Sequence, residues 1–243
     1  MHKKHKRFHK SKPRQSWFRL RIVLKILFVA VFIFSFWESW QFTKPKNFPI
    51  NHVKVTATFE HIDPKFLQAT IEPYLHNGFF YLNAFGLQHQ LLKIPWIYTI
   101  SVDRVWPDTL SINIIEQKAI AQWGENSLIN AEGKIFSPAI ETFPQNTPIL
   151  FGQDSQVQNI LKCYLEAKPL LAPLNLTITQ LVFSPYHYWQ ITLNPDMTIF
   201  LREQNPIDQL KLLLNVYNKV TVGHNNPPKS IDLRYNNGLA VRW

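Results

Sequence analysis

The run from Ile22 to Phe42, IVLKILFVAVFIFSFWESWQF, is charged only near its ends, at Lys25 and Glu38. At about 1.5 Å per residue it covers roughly 30 Å, the thickness of a bilayer's hydrocarbon layer. It has no polar stripe, so it reads as a membrane span and not as a core helix. Trp37 and Trp40 fall where one aromatic belt belongs, and Trp17 and Phe18 near the other. The exit sequence, WESWQFTKPKNFP, is bulky and aromatic, without the small residues of a cleavage site, so an uncleaved signal anchor is favoured over a removed signal peptide.

Charge sets the orientation. The total is +10, with 26 Lys+Arg against 16 Asp+Glu. Ten of the basic groups lie before the span or at its start (Lys3, Lys4, Lys6, Arg7, Lys10, Lys12, Arg14, Arg19, Arg21 and Lys25), with no acidic residue among them, so the rest of the chain is balanced. A basic tail ahead of an apolar span predicts a cytoplasmic N-terminus and places everything after Lys44 across the membrane. The balanced remainder argues against a nucleic-acid partner. His2, His5 and His9 lie in this tail, where nothing orders them as metal ligands.

Beyond a short linker, Val53, Val55, Ala57 and Phe59 alternate with polar residues as in a half-buried strand. Asp63-Pro64 predicts a capped helix with Phe66, Leu67, Ile71 and Leu75 as its apolar positions, ended by Asn77-Gly78. Asn83 predicts the cap of a second, with Phe85, Leu87, Leu91, Leu92 and Ile94, stopped by Pro95. Strands are expected over 97–105 and 109–115 around the turn Trp106-Pro107-Asp108. The order is strand, helix, helix, strand, strand.

From Lys118 the pattern becomes short strands between turns. Residues 128–129 and 135–136 read as a hairpin, 181–183 pairs with 189–193, and 197–201 extends the ribbon. Helices are expected over 156–170 and after Asn205-Pro206, the latter with Ile207, Leu210, Leu213, Leu214 and Tyr217 on one face. The chain closes with residues 230–234, the turn Tyr235-Asn236-Asn237-Gly238, and 239–243, a hairpin by its Asn-Gly signal. The fold class is α+β: one transmembrane helix, a βααββ domain, and a strand-rich domain with flanking helices.

No catalytic constellation is present. There is no G-x-S-x-G, H-E-x-x-H, C-x-x-C or Walker run, and the single cysteine, Cys163, permits no internal disulfide and reads as a buried small hydrophobe. His52, His61, His76, His89 and His224 are scattered among polar neighbours. Neither enzyme, cofactor, metal nor small-molecule substrate is expected.

The segments "FPINHVKV", "GFFYLN", "IPWIYTISVDRVWPDTLSINIIEQKAIAQW" and "LINAEGKIF" closely resemble the bacterial cell-division family FtsQ/DivIB. The resemblance covers nearly all of the chain from Phe48 onward. It implies a cytoplasmic tail over 1–21, a signal anchor over 22–42, a POTRA domain over 48–117 and an FtsQ-type β domain over 118–243. It further implies a non-enzymatic single-pass inner-membrane protein of type II orientation, periplasmic in bulk, placed at the division septum. Its expected partners are FtsB and FtsL, a coiled-coil pair, and other divisome proteins such as FtsW/FtsI, FtsN and FtsK.

Within the final stretch, LRYNNGLAVRW, the resemblance assigns partner binding to Arg234, Tyr235, Asn237, Gly238, Leu239, Ala240, Val241 and Trp243. Contact beyond Trp243 is not expected. An edge strand binds another chain through main-chain hydrogen bonds; Arg234 would offer a forked donor to a carboxylate. If the Ala240 amide faces the partner, Ala240→Pro is expected to be severe, with Leu239→Pro and Val241→Pro as the pair that differs from it, since neighbouring amides alternate in direction. Composition alone also fits an ordinary hairpin with Trp243 in the core. Val53–Phe59 and Thr109–Ile115 are the expected recruiting surfaces of the first domain. The alternative function is a POTRA-bearing translocation or outer-membrane assembly factor, which the segment after Ile120 fits poorly, being too short for a barrel's strands.

Replacing the ten tail charges with neutral residues is expected to weaken or invert insertion. A compartment-specific reporter fused after Trp243 reads the outcome, and unchanged topology would assign orientation to another determinant.

Overall fold

The computed structural model describes residues 16–42, 44, 46–194, 196–224, 226–235 and 238–243. Helix α1 spans Ser16–Phe42. Its segment Leu20–Gln41 is, among the described residues, the one helix long and apolar enough to cross a membrane, and its side chains are exposed on all faces. The basic tail before Ser16 lies outside the described residues.

The first sheet contains β1 (His52–Thr56), β2 (Ile97–Val105) and β3 (Thr109–Glu116), in the order β1-β3-β2. β1 runs parallel to β3 and β2 antiparallel to it. Alternation along β3 buries Leu110, Ile112, Ile114 and Glu116, and on this face pack α2 (Pro64–Leu75) and α4 (Ala84–Leu91) through Leu67, Ile71, Leu87 and Leu91. Asp63 caps α2 as its sequence predicts, accepting from the Lys65 N–H at 2.9 Å.

Several expectations are corrected. β1 ends at Thr56, leaving Ala57 and Phe59 outside it, and Phe59 adopts a positive φ of 54°. β3 is the middle strand, so the surface expected over Thr109–Ile115 is an outer sheet face, as that expectation allows. After Asn77, Gly78 at φ 67° opens an additional single turn, α3 (Gly78–Tyr81), between the two expected helices. Phe66, Phe85 and Leu92 match helical spacing yet point to solvent, because two short helices on a three-stranded sheet offer only a narrow buried stripe.

The second sheet has nine strands. They are β4 (Ala119–Trp123), β5 (Ser127–Asn130), β6 (Ile135–Phe136), β7 (Ile149–Phe151), β8 (Thr177–Ser184), β9 (Tyr188–Asn194), β10 (Met197–Arg202), β11 (Ser230–Asp232) and β12 (Ala240–Arg242), with α5 (Val157–Leu171) and α6 (Pro206–Thr221). The order is β12-β11-β10-β9-β8-β7-β4-β5-β6. The hairpins β5–β6 and β8–β9 form in the pairing their sequences predict. The links that join them into one sheet are parallel: β4 with β7, β7 with β8, and β10 with β11. Helix α5 packs on this sheet through residues such as Ile160 and Leu171, both fully buried. Cys163 is buried on the same helix, and burial, with the Glu166 carboxylate beside it, pushes its thiol up to about 12.

The two domains share packing at their junction. Leu128 and Phe136 of the second belong to the apolar cluster of the first. Trp96 sits between them, stacked on His61 (3.8 Å), edge-on to Phe136 (5.3 Å) and donating its indole N–H to Thr142 Oγ1 at 2.9 Å. Glu116 closes the first domain below it. Burial raises this carboxyl, but bonds from the Thr58 hydroxyl and the His61 and Glu60 N–H groups outweigh that and hold it below its ordinary value.

Glu116→Ala is expected to cost on the order of 1–3 kcal/mol by leaving part-buried donors unpaired, read by thermal unfolding. Because the folded carboxyl lies below its ordinary 4.5, its contribution is present above that pH and lost as pH falls through the folded value. The variant's deficit should therefore shrink in acid.

Candidate partner-binding edge

β11 is tied to β10 by bonds from the Thr198 N–H to the Lys229 carbonyl (2.9 Å) and from the Leu233 N–H to the Phe200 carbonyl (2.8 Å). On the parallel register Thr198↔Ser230, Ile199↔Ile231 and Phe200↔Asp232, this directs the main-chain groups of Ile231 toward β10 and those of Ser230 and Asp232 toward β12. Their antiparallel partners, Arg242 and Ala240, therefore face inward. The Arg242 carbonyl accepting the Lys229 N–H at 2.8 Å agrees. The main-chain groups of Val241 point to the open side, where β12 has no further strand among the described residues. Of the two phases open from sequence, the structure takes the one in which the Ala240 amide pairs within the sheet and Val241 offers the outward one.

The other residues assigned from sequence are distributed around this edge. Leu239 and Val241 are half-buried and pack against the core, while Ala240 and Gly238 are exposed. Tyr235 is 60% exposed. Trp243 lies neither in the core nor free: it is half-buried, its ring stacks on His224 at 3.5 Å, and its carbonyl accepts from Lys229 Nζ at 3.3 Å. Asn237 lies outside the described residues. The strands end at Asp232 and begin again at Ala240, so the connection is longer than the tight four-residue turn the Asn-Gly signal predicts.

Arg234 is the main correction. Its fork is engaged by Asp232 in the same chain, Nη2 to Oδ2 at 2.7 Å and Nε to Oδ1 at 2.9 Å. The guanidinium also lies over the rings of Tyr188 (5.0 Å) and Phe200 (5.3 Å). The arginine thus fastens the end of β11 to β9 and β10. Its hydrogen bonds to Asp232 hold that carboxyl below the usual carboxylate range, against a smaller opposing effect of burial.

A groove of about 250 Å³ opens beside the hairpin, lined by Leu212, Leu213 and Val216 of α6 and by Leu233, Tyr235 and Leu239. Leu212 is 64% exposed. It interrupts the polar side of an otherwise amphipathic helix, and that interruption is the sign in the sequence of its place in the groove. Among the described residues no group of three or more His, Cys, Asp and Glu is placed to hold a metal ion.

The description "Cell division protein FtsQ/DivIB, C-terminal" matches residues 121–234, and "POTRA domain, FtsQ-type" matches 48–117. The chain is 37% identical over 199 residues to the cell division protein FtsQ of Coxiella burnetii, covering 82% of each chain. The chain belongs to the FtsQ/DivIB family. It is also similar to the FtsQ proteins of Cellvibrio japonicus, at 30% identity over 94% of this chain and 71% of that one, and of Neisseria meningitidis, at 24% over 92% of each. Members of the FtsQ/DivIB family are non-enzymatic division proteins, in keeping with a fold whose prominent features are an apolar helix, two sheets and an open edge.

Because Asp232 is held below its ordinary 3.8, the fastening it shares with Arg234 is present above that pH and released as pH falls through the folded value. A carboxyl titration followed by NMR should give a midpoint below 3.8, and Arg234→Ala should return it toward the ordinary value. Arg234→Glu is expected to loosen the hairpin itself by setting a second carboxylate beside Asp232.

Proposed function

We propose that this chain is a single-pass anchor of the inner membrane, N-terminus cytoplasmic and bulk periplasmic, that acts as a scaffold at the division septum. It receives the FtsB–FtsL pair on β12 and so links early division proteins to septal peptidoglycan synthesis, alongside FtsW/FtsI, FtsN and FtsK. The observation that carries this reading is the combination at one place of an open strand edge and an apolar groove. A partner strand added to β12 pairs with the outward groups of Val241, while side chains beside it enter the groove between α6 and the hairpin. Main-chain pairing supplies geometry, and the groove supplies choice.

The site so drawn comprises Tyr235, Gly238, Leu239 and Val241 in direct contact, with Leu212 and Val216 as the groove's far wall. Arg234, Ala240 and Trp243 act by holding the hairpin in place. Asn237 remains assigned by family resemblance. On the POTRA side, the free strand edges are β1 and β2, and recruitment through this domain is assigned to them in place of β3. The translocation alternative gains no specific support from the fold.

The test is the affinity of the full chain, in nanodiscs, for the soluble FtsB–FtsL pair, with circular dichroism of each variant. Val241→Pro removes an outward donor and is expected to weaken binding measurably with the fold kept. Ala240→Pro instead breaks pairing with β11 and is expected to lower stability. Tyr235→Ala and Leu212→Asp should each weaken binding by about 2 kcal/mol or more, as buried anchors do. Folded Val241→Pro and Tyr235→Ala chains that bind as the parent does would move the site away from this edge.

A further inference from the structure

The POTRA domain carries exposed aromatic side chains that its core does not use. Phe85, at the start of α4, is 80% exposed, and Trp106, in the β2–β3 turn, is 72% exposed, with Phe80 and Tyr81 of α3 also open to solvent. Phe80 and Tyr81 lie beside the turn that carries Trp106, and Phe85 follows them at the start of the next helix. The Arg104 guanidinium, two residues before Trp106, donates from Nη1 to the carbonyls of Phe79 and Phe80 at 3.3 and 3.2 Å, fastening α3 beside the turn. The Asp108 carbonyl, two residues after Trp106, accepts the N–H groups of Asn51 and His52, the point at which the chain arrives from α1. Phe48 of that incoming segment packs edge-on against Phe80 at 4.9 Å.

This end also touches the anchor. The Tyr81 ring stands 6.5 Å from that of Trp40, which lies at the far end of the apolar segment, where tryptophan settles into the headgroup layer. That layer is roughly 5–8 Å deep on each side of the hydrocarbon. A ring in contact with Trp40 is thus at the depth of the lipid headgroups, and Arg104 holds the β2–β3 turn close to the helix that carries that ring. Lys44 and Lys46, both exposed, flank the same end with charge suited to anionic headgroups.

We propose that the aromatic end of the POTRA domain, Phe80, Tyr81, Phe85 and Trp106, is a membrane-contact surface that rests in the outer-facing headgroup layer of the bilayer its own helix spans. The occupant is lipid. Continuity with the anchor decides this: a surface that begins at a ring touching Trp40 meets bilayer before it meets another protein. Aromatic side chains suit that layer, being apolar in body and polar at the tip of Tyr and Trp. The contact fixes the height and tilt of the POTRA domain and hence the distance from the membrane at which the rest of the chain is presented.

The inference rests on α1 spanning the bilayer, and the test separates the two. The full chain is reconstituted alone into phosphatidylethanolamine–phosphatidylglycerol vesicles, with and without brominated acyl chains. Single environment-sensitive labels are placed through Phe34→Cys, Phe85→Cys, Trp106→Cys and Tyr186→Cys, the last at an 84%-exposed position of the second domain. Cys163 stays unlabelled because it is buried. Bromolipid quenching at Phe34 reports the span, and its absence would remove the anchor reading. With Phe34 quenched, quenching several-fold above the Tyr186 level is expected at both Phe85 and Trp106, and should fall when Tyr81→Glu is added. A level at either position no higher than at Tyr186 overturns the proposal and leaves this end to a protein partner.

Discussion

The position of the final strand depends on a parallel ladder only three residues long. β10 ends at Arg202, the chain leaves through α6, and β11 returns beside β10 on the register Thr198↔Ser230 to Phe200↔Asp232. Were β11 to lie elsewhere, β12 would have no template. The ladder is short, and its supports are correspondingly varied: Ile231 and Leu233 are buried in the core, and the Asp232–Arg234 pair ties its end to the rings of Tyr188 and Phe200. A crossover helix is what parallel neighbours require, and α6 serves twice, covering the sheet with Leu210 and Leu213 and offering Leu212 and Val216 to the groove.

Local structure was legible because its causes are local. Asp63 and Pro64 fix the start of α2, and alternation fixes β8, β9 and β10. What escaped depended on distant partners. Nothing near Ile149 announces that β7 will join β4 to β8 by parallel pairing, since a three-residue apolar run is compatible with many neighbours. Phe85 fits helical spacing as well as Leu87 does, and only the limited area of a three-stranded sheet decides which is buried. Arg234 reads as a free donor until Asp232, two residues earlier on the same face of the strand, is seen to occupy it. The alternation of main-chain groups along β12 was foreseeable as a rule, but its phase was set by β10, far away in sequence.

The junction between domains has a different character. Trp96 reaches three segments at once through His61, Phe136 and Thr142, and β3 passes into β4 with only Gln117 and Lys118 between them. Gln117 is itself buried and accepts a bond from Asn130 Nδ2 at 3.0 Å. Shared packing of this kind transmits orientation from one sheet to the next, so whatever fixes the first domain also aims the second.

The sheet's two ends are unequal. β6 is two residues long and β12 three, and neither is a long, flat template of the sort that lets identical chains stack without limit. An added strand at β12 meets few outward main-chain groups and then runs out of edge. Backbone pairing alone is therefore too small a contribution to hold a ligand tightly, and a synthetic inhibitor of this surface would gain its residence time from an aromatic or branched group seated against Leu212 and Val216, with the backbone mimic serving mainly to set its direction.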